Sequence, residues 1–165
     1  MVLDLRKIFL NDGKTLPLNC EFDFSDLEFF GGYPLKKPVK VTGEIRNRAG
    51  VVEISVECEV SYSAECDRCQ TPTVKTYNIS FGAVLVSDKE SDEDDELILL
   101  TDYKLDLQEY CFNEMIPRLP MKHLCSEECK GICQKCGKNL NEGSCDCDHK
   151  VVDPRLEKLR QLLDN

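Results

Sequence analysis

The strictest pattern in the chain runs from residue 52 to residue 62. Val52, Ile54, Val56, Cys58, Val60 and Tyr62 alternate with Glu53, Ser55, Glu57, Glu59 and Ser61. Successive side chains of a strand point to opposite faces, so this alternation predicts a strand with one buried and one solvated face. Just before it, Val39, Val41 and Ile45 alternate with Lys40, Thr42 and Glu44. The segment Asn47-Arg48-Ala49-Gly50 separates the two runs and ends in glycine, as a tight hairpin turn would. Tyr77, Ile79, Phe81, Ala83 and Leu85 give a third alternating run. The middle of the chain therefore reads as an antiparallel meander, part of a small open barrel or of a curved sheet packed by a helix.

The period changes after residue 105. Leu107, Tyr110, Cys111 and Met115 fall on one face of a helix expected over 106–116. Asp106 with Glu109 three residues later fits a capping-box variant, and Pro117 ends the pattern. A second helix is expected from Asp153-Pro154, with the cap before the proline and Leu156, Leu159 and Leu163 as its apolar stripe. Both stripes read as core. Of the first 35 residues, Cys20, Phe22 and Phe24 alternate like a strand, and Gly31-Gly32 with Pro34 look like a loop. Residues 88–96, DKESDEDDE, hold seven acids against one lysine and read as a solvated loop that like-charge repulsion keeps open. The expected class is α+β: an antiparallel β-meander or small open barrel with one or two helices and a zinc ribbon-like C-terminal tail. Residues 1–120 would form the β-rich core domain with one helix. Residues 121–165 would form a cysteine-rich tail and terminal helix packed on that core.

Charge narrows the partners. The 165 residues carry a formal net charge of −10. DNA and membrane surfaces are negative too, so binding to either through the whole surface is not expected. Met1 to Leu10 is broken by Asp4, Arg6 and Lys7, whereas a secretory signal needs an unbroken apolar stretch of about 7–15 residues. No stretch approaches the roughly 18 apolar residues of a membrane span. A cytoplasmic protein is the expectation.

Eleven cysteines then change the picture. A reducing cytosol disfavours disulfides, and close thiol pairs there are metal ligands more readily than bridges. Cys20, Cys58 and Cys111 each stand alone on an apolar face and read as small core hydrophobes. The other eight come in pairs: Cys66 with Cys69, Cys125 with Cys129, Cys133 with Cys136, and Cys145 with Cys147. Structural zinc takes four ligands in a tetrahedron, so eight thiols make two sets and imply one or two structural Zn2+ ions. Cys133-Gln-Lys-Cys136-Gly137 has the look of a knuckle, a tight turn whose two sulfurs point the same way and whose glycine lets backbone amides face sulfur. Cys145 and Cys147 would complete that site. The remaining grouping stays open. Cys66 and Cys69 lie at a hairpin tip and would close a second site with Cys125 and Cys129. The rivals are a Cys125/Cys129/Cys133/Cys136 site and a redox dithiol at Cys66 and Cys69. A redox dithiol normally sits where a helix N-terminus lowers the thiol pKa, and this pair has a strand on both sides. His123 and His149 are the only histidines and each is a candidate substitute ligand.

These motifs together resemble the YceD family, the large ribosomal RNA subunit accumulation proteins of bacteria and plastids. The resemblance runs from about residue 36 onward. It is carried by Glu65-Cys66-Asp67-Arg68-Cys69 after a strand, by Leu105-Asp106-Leu107 leading into a helix, and by Leu119-Pro120-Met121. It is carried most by Cys129-Lys130-Gly131-Ile132-Cys133, Asn139-Leu140-Asn141 and Cys145-Asp146-Cys147, and it closes on Asp153-Pro154-Arg155-Leu156. The tail is similar to the Gram-positive form. The resemblance implies a role in producing or stabilising large-subunit ribosomal RNA, and it implies no catalytic residue.

No phosphate-cradling glycine-rich loop, His-Glu-x-x-His helix or Gly-x-Ser-x-Gly elbow occurs in the sequence. Complete sets of four thiolates point to structural sites, whereas a catalytic zinc keeps an open position. A non-enzymatic factor in large ribosomal subunit biogenesis is therefore expected, the alternative being a zinc-stabilised protein-interaction module outside ribosome assembly. Residues 118–138 carry Arg118, Lys122, Lys130, Lys135 and Lys138 against Glu127 and Glu128, a modest basic patch on an acidic chain. If a large-subunit ribosomal RNA precursor is the partner, these side chains are the expected phosphate contacts. If a basic ribosomal protein is the partner, the acids of 88–96 are the expected surface.

Overall fold

The longest alternating run becomes the central strand of a five-stranded sheet. A computed structural model of the chain describes residues 1–28, 31–87 and 97–147. The helix expected from Asp153, the acidic run 88–96 and His149 lie outside the described residues. Contacts divide the chain into two units, Met1–Glu65 with Pro72–His123, and Cys66–Thr71 with Leu124–Asn165.

The first unit is α+β. Its elements are β1 (Val2–Asp4), α1 (Arg6–Phe9), β2 (Thr15–Phe22), β3 (Val39–Arg48), β4 (Val51–Glu65), β5 (Pro72–Val86), β6 (Leu97–Leu99), β7 (Lys104–Asp106) and α2 (Leu107–Met115). The large sheet has the order β2-β3-β4-β5-β6; β3 to β5 form the antiparallel meander that the alternation predicts, and β2 extends it antiparallel to β3. β6 adds to β5 in parallel, and β1 pairs with β7 in a separate two-stranded ladder. The sheet does not close into a barrel.

Period two places the core. On β4, Val52, Ile54, Val56, Cys58, Val60 and Tyr62 are all buried while Glu53, Ser55, Glu57 and Glu59 are exposed. Val39, Val41 and Ile45 of β3 share that face, at 0 % exposure each. Burying one such aliphatic side chain contributes about 1.5–3 kcal/mol, so this face dominates the stability of the unit. α2 covers part of the core with Leu107, Tyr110, Cys111 and Met115, the residues its 3.6-residue period selects. Tyr110 meets Phe81 of β5 edge to face, with ring centres 5.5 Å apart. Asp106 caps the helix by accepting from the amides of Gln108 at 3.1 Å and Glu109 at 3.4 Å. Pro117 ends it in a single 3-10 turn, Ile116–Arg118. Of the isolated cysteines, Cys58 and Cys111 are fully buried and Cys20 half-buried.

The first hairpin turn is tighter than the sequence suggests. Only Ala49 and Gly50 lie outside the strands, both with positive φ (53° and 85°), as the two-residue hairpin turn that matches strand twist demands. Asn47, read as part of the turn, instead sits in β3 opposite Val52, 1 % exposed. The reason is a polar debt left by α1. A helix of four residues cannot satisfy its own carbonyls. Asn47 Nδ2 donates to the Ile8 carbonyl at 2.8 Å and the Phe9 carbonyl at 3.2 Å, and its Oδ1 accepts from the Gly50 amide at 3.1 Å. Among the described residues no helix is long and apolar enough to cross a membrane.

Asn47 therefore anchors α1 to the sheet. Asn47→Ala strips the partners from those groups and should cost about 1–3 kcal/mol. Urea unfolding should show a lowered midpoint with an unchanged slope, and a midpoint equal to that of the unsubstituted chain would show that water replaces the amide without loss.

Candidate metal centres

The second unit contains two turns with one hydrogen-bond pattern. In 66–71, the Cys66 amide donates to the Thr71 carbonyl at 3.0 Å and the Gln70 amide to the Cys66 carbonyl at 2.8 Å. In 133–138, the Cys133 amide donates to the Lys138 carbonyl at 2.8 Å and the Gly137 amide to the Cys133 carbonyl at 2.9 Å. Gln70 and Gly137 occupy the same left-handed position, with φ of 58° and 73°. Each turn thereby points both of its sulfurs to one side, and the Lys135 amide faces Cys133 Sγ at 3.4 Å. The knuckle legible at Cys133 thus has a twin at Cys66 that lacks the telltale glycine.

Each knuckle meets one further cysteine pair. Cys66, Cys69, Cys125 and Cys129 form one set, and Cys133, Cys136, Cys145 and Cys147 the other, with the sulfurs of each set within 4.8 Å of one another. Cys125 and Cys129 therefore group with Cys66 and Cys69 and not with Cys133 and Cys136. In the first set Cys66 Sγ lies 3.8 Å from Cys129 Sγ, and Cys69 Sγ 3.6 Å from Cys125 Sγ. A tetrahedron with metal–sulfur bonds of about 2.3 Å has edges of about 3.8 Å. The first set is mostly buried and packs against Leu124 and Ile132. The second is more open, with Cys133 buried and Cys136 exposed.

The electrostatics of both sets suit a divalent cation. Burial pushes the Cys66 thiol up, but hydrogen bonds from the amides of Cys125, Arg68 and Cys69 outweigh it and bring it down to about 6. The amides of Cys136 and Lys135 likewise bring Cys133 down to about 6. Cys125 is pushed up to about 12 by its hydrogen bond to Cys129, and Cys147 to about 12 by its hydrogen bond to Cys136. Each set thus mixes thiols held below their ordinary value, Cys66 and Cys129 in the first and Cys133 in the second, with thiols pushed above it, Cys125 in the first and Cys145 and Cys147 in the second. A bound cation would take the place of the remaining protons, since ligating sulfur is deprotonated.

Three residues around the sulfurs escape a reading based on cysteine spacing. Arg68, between the two ligands of the first knuckle, donates from Nη1 to the Cys129 carbonyl at 3.0 Å and to the Glu127 carbonyl at 3.4 Å. Its own carbonyl accepts from the Ile132 amide at 3.1 Å. Gly131 passes so close to Arg68 that a Cβ there would lie 3.0 Å from the Arg68 carbonyl oxygen. Asn141 donates from Nδ2 to Cys129 Sγ at 3.3 Å, and that bond leads the groups that hold the Cys129 thiol below its ordinary value. The Asn-x-Asn in the spacer was visible in the sequence, but nothing there says which sulfur it would face.

His123 belongs to neither set. It is buried in the first unit, with Nε2 2.6 Å from Thr73 Oγ1 and its ring 5.1 Å from that of Tyr62. Arg118 and Lys122 also belong to the first unit, where Arg118 pairs with Glu114 at 2.6 Å and lies over the Phe81 ring. Lys130, Lys135 and Lys138 are exposed on the second unit, and Lys138 Nζ donates to the Ser144 carbonyl at 2.7 Å.

A family model described as "Large ribosomal RNA subunit accumulation protein YceD" matches residues 52–163. Uncharacterized proteins of Mycobacterium bovis and Mycobacterium tuberculosis are each 27% identical over 103 residues, which cover 60% of this chain and 49% of theirs. A chloroplastic protein of Arabidopsis thaliana, "Large ribosomal RNA subunit accumulation protein YCED homolog 1", is 23% identical over 160 residues, covering 79% of this chain and 50% of its own. The chain thus spans about half the length of the curated relatives it matches. No solved structure matches.

The partition of the sulfurs makes a count. Elemental analysis of the reduced chain should give two divalent ions, and Cys66→Ser and Cys133→Ser should each remove one. Loss of the same single ion by both would mean the sets are drawn wrongly. Gly131→Ala should also be costly, because φ of 75° disfavours any Cβ and the added carbon presses on the Arg68 carbonyl. Amide spectra should show the change concentrated in the second unit, with the signals of β2 to β5 in place.

Proposed function

The chain belongs to the YceD family of large ribosomal RNA subunit accumulation proteins, and from that premise we propose that it is a non-enzymatic factor that supports accumulation of large-subunit ribosomal RNA. The carrying observation is that the family match, residues 52–163, takes in all eight paired cysteines. The function would then be delivered by a module whose shape metal maintains. Four sulfurs per set suit zinc, which is tetrahedral and accepts thiolates readily. Complete sets leave no open position at which a substrate could be activated, which supports a structural role. The setting that fits is the cytoplasm, where the thiols stay reduced.

Charge separates two candidate partners. A precursor of the large-subunit ribosomal RNA would meet the exposed Lys130, Lys135 and Lys138 of the second unit, with Lys122 and Arg118 as further phosphate contacts. A basic ribosomal protein would instead meet the acids of 88–96. Each phosphate contact removed lowers the slope of log affinity against log salt by roughly 0.7–0.9. If RNA is bound directly, changing Lys130, Lys135 and Lys138 to alanine together should lower that slope by about two, allowing for the bond Lys138 already makes. An unchanged slope would move the contact to a protein partner.

The role itself is tested in the cell. Depletion of the protein should lower the ratio of large-subunit to small-subunit ribosomal RNA. A ratio that stays constant in slow and fast growth would overturn the proposal and favour an interaction module outside ribosome assembly.

A further inference from the structure

The spacer that joins the two ligand pairs of the second cysteine set, residues 137–144, also serves the first set. Asn141, in its middle, donates Nδ2–H to Cys129 Sγ at 3.3 Å. The Oδ1 of the same side chain accepts from the Lys130 amide at 2.8 Å. Asn139 Oδ1 steadies it by accepting from the Asn141 amide at 3.0 Å and from Asn141 Nδ2 at 2.9 Å. Asn139 Nδ2 in turn donates to Thr71 Oγ1 at 3.4 Å, and that oxygen accepts from Cys69 Sγ at 3.3 Å. The spacer therefore reaches two of the four sulfurs of the first set, one directly and one through Thr71.

The remaining bonds of the spacer are short-range, among them Lys138 Nζ to the Ser144 carbonyl at 2.7 Å and the Glu142 amide to the Asn139 carbonyl at 3.2 Å. Residues 141–144 are exposed, as are Cys136 and Gly137. Among the described residues its backbone is held by the short bridge between Ile132 and Asn139, by the Leu140 amide on the Gly131 carbonyl at 2.9 Å, and by the Cys133 amide on the Lys138 carbonyl at 2.8 Å. Its two ends run directly into Cys136 and Cys145, members of one set. An ion in that set would hold both ends at once.

We propose that the two sets bind metal cooperatively and that Asn141 is the positioning residue that couples them. The inference rests on the reading of both sets as metal sites. An ion among Cys133, Cys136, Cys145 and Cys147 locks the spacer. The locked spacer presents the Asn141 donor to Cys129, which must be a thiolate to ligate in the other set. A donor of this kind behind a ligand is typically worth about 10–100-fold in metal affinity. Coupling in binding free energy is reciprocal, so an ion in the first set tightens the second by the same factor.

The test uses the full reduced chain, titrated with zinc against a chromophoric chelator, with the thiolate-to-metal absorption of the cobalt(II) form counting occupied sets. The first-set affinity is measured in the unsubstituted chain, in Asn141→Ala, in Cys133→Ser with Cys136→Ser, and in the combination. Disabling the second set should weaken the first about 10–100-fold, and Asn141→Ala should weaken it similarly while two ions still bind. In the Asn141→Ala background, disabling the second set should have little further effect. Asn141→Asp keeps the acceptor for the Lys130 amide but loses the donor, so it should weaken the first set as alanine does. Affinities that ignore Asn141, or a full second-set effect persisting without it, would overturn the coupling while leaving two metal sites standing. A chain that takes up no ion would sink both the coupling and the metal reading.

Discussion

Four sulfurs held within 4.8 Å of one another cannot all be thiolates unless a cation sits among them. The second unit depends on this constraint twice over. Its described apolar residues in contact with the first set are Leu124 and Ile132, far short of what ordering the chain from Leu124 to Cys147 requires. Structural metal sites in small domains supply that deficit, with apparent binding free energies of about 10–16 kcal/mol. The knuckle turns, the Arg68 clamp and the Asn141 donor all place groups around sulfur, and each has a purpose only if the sulfurs converge.

The first unit obeys a different rule. Its sheet buries one continuous face, from Val39 and Val41 on β3 through Val52 to Tyr62 on β4, and α2 adds Leu107, Cys111 and Met115 to the same core. Among the described residues the one deeply buried carboxamide, Asn47, is matched at both its amide nitrogen and its oxygen. A unit of this kind owes its stability to apolar area, whereas the second unit, with two sets of converging sulfurs, would owe it to ligand bonds once ions are bound. The two should therefore respond separately to denaturant and to chelator.

How much of this was legible followed from how far each interaction reaches along the chain. The alternation over 52–62 and the helical spacing of Leu107, Tyr110, Cys111 and Met115 are local, and both elements lie where the pattern puts them. The Cys133 knuckle announces itself through Gly137, while its twin carries Gln70 at the same position, so the sequence marks Cys66 and Cys69 as a ligand pair at a hairpin tip without the turn that aims them. The assignment of Cys125 and Cys129 to Cys66 and Cys69 spans 56 and 63 residues, and no periodicity encodes a meeting at that distance. Asn47 was misplaced into the turn because a polar residue beside Ala49-Gly50 looks like turn chemistry. Only the carbonyls of α1, some 39 residues earlier, explain it.

The twin knuckle has a topological meaning. An ion shared by Cys66 and Cys129 would fasten two points 63 residues apart and close a covalent ring containing β5, β6, β7 and α2. β1, β2, β3 and all of β4 lie outside that ring. In polymer terms the ion is a reversible cross-link, and a ring of that size removes on the order of 4 kcal/mol of entropy from the unfolded chain. Unlike a disulfide, it forms without an oxidant and opens when metal becomes scarce. Within that ring, the entropy of the unfolded chain would thereby be set by the supply of a single ion.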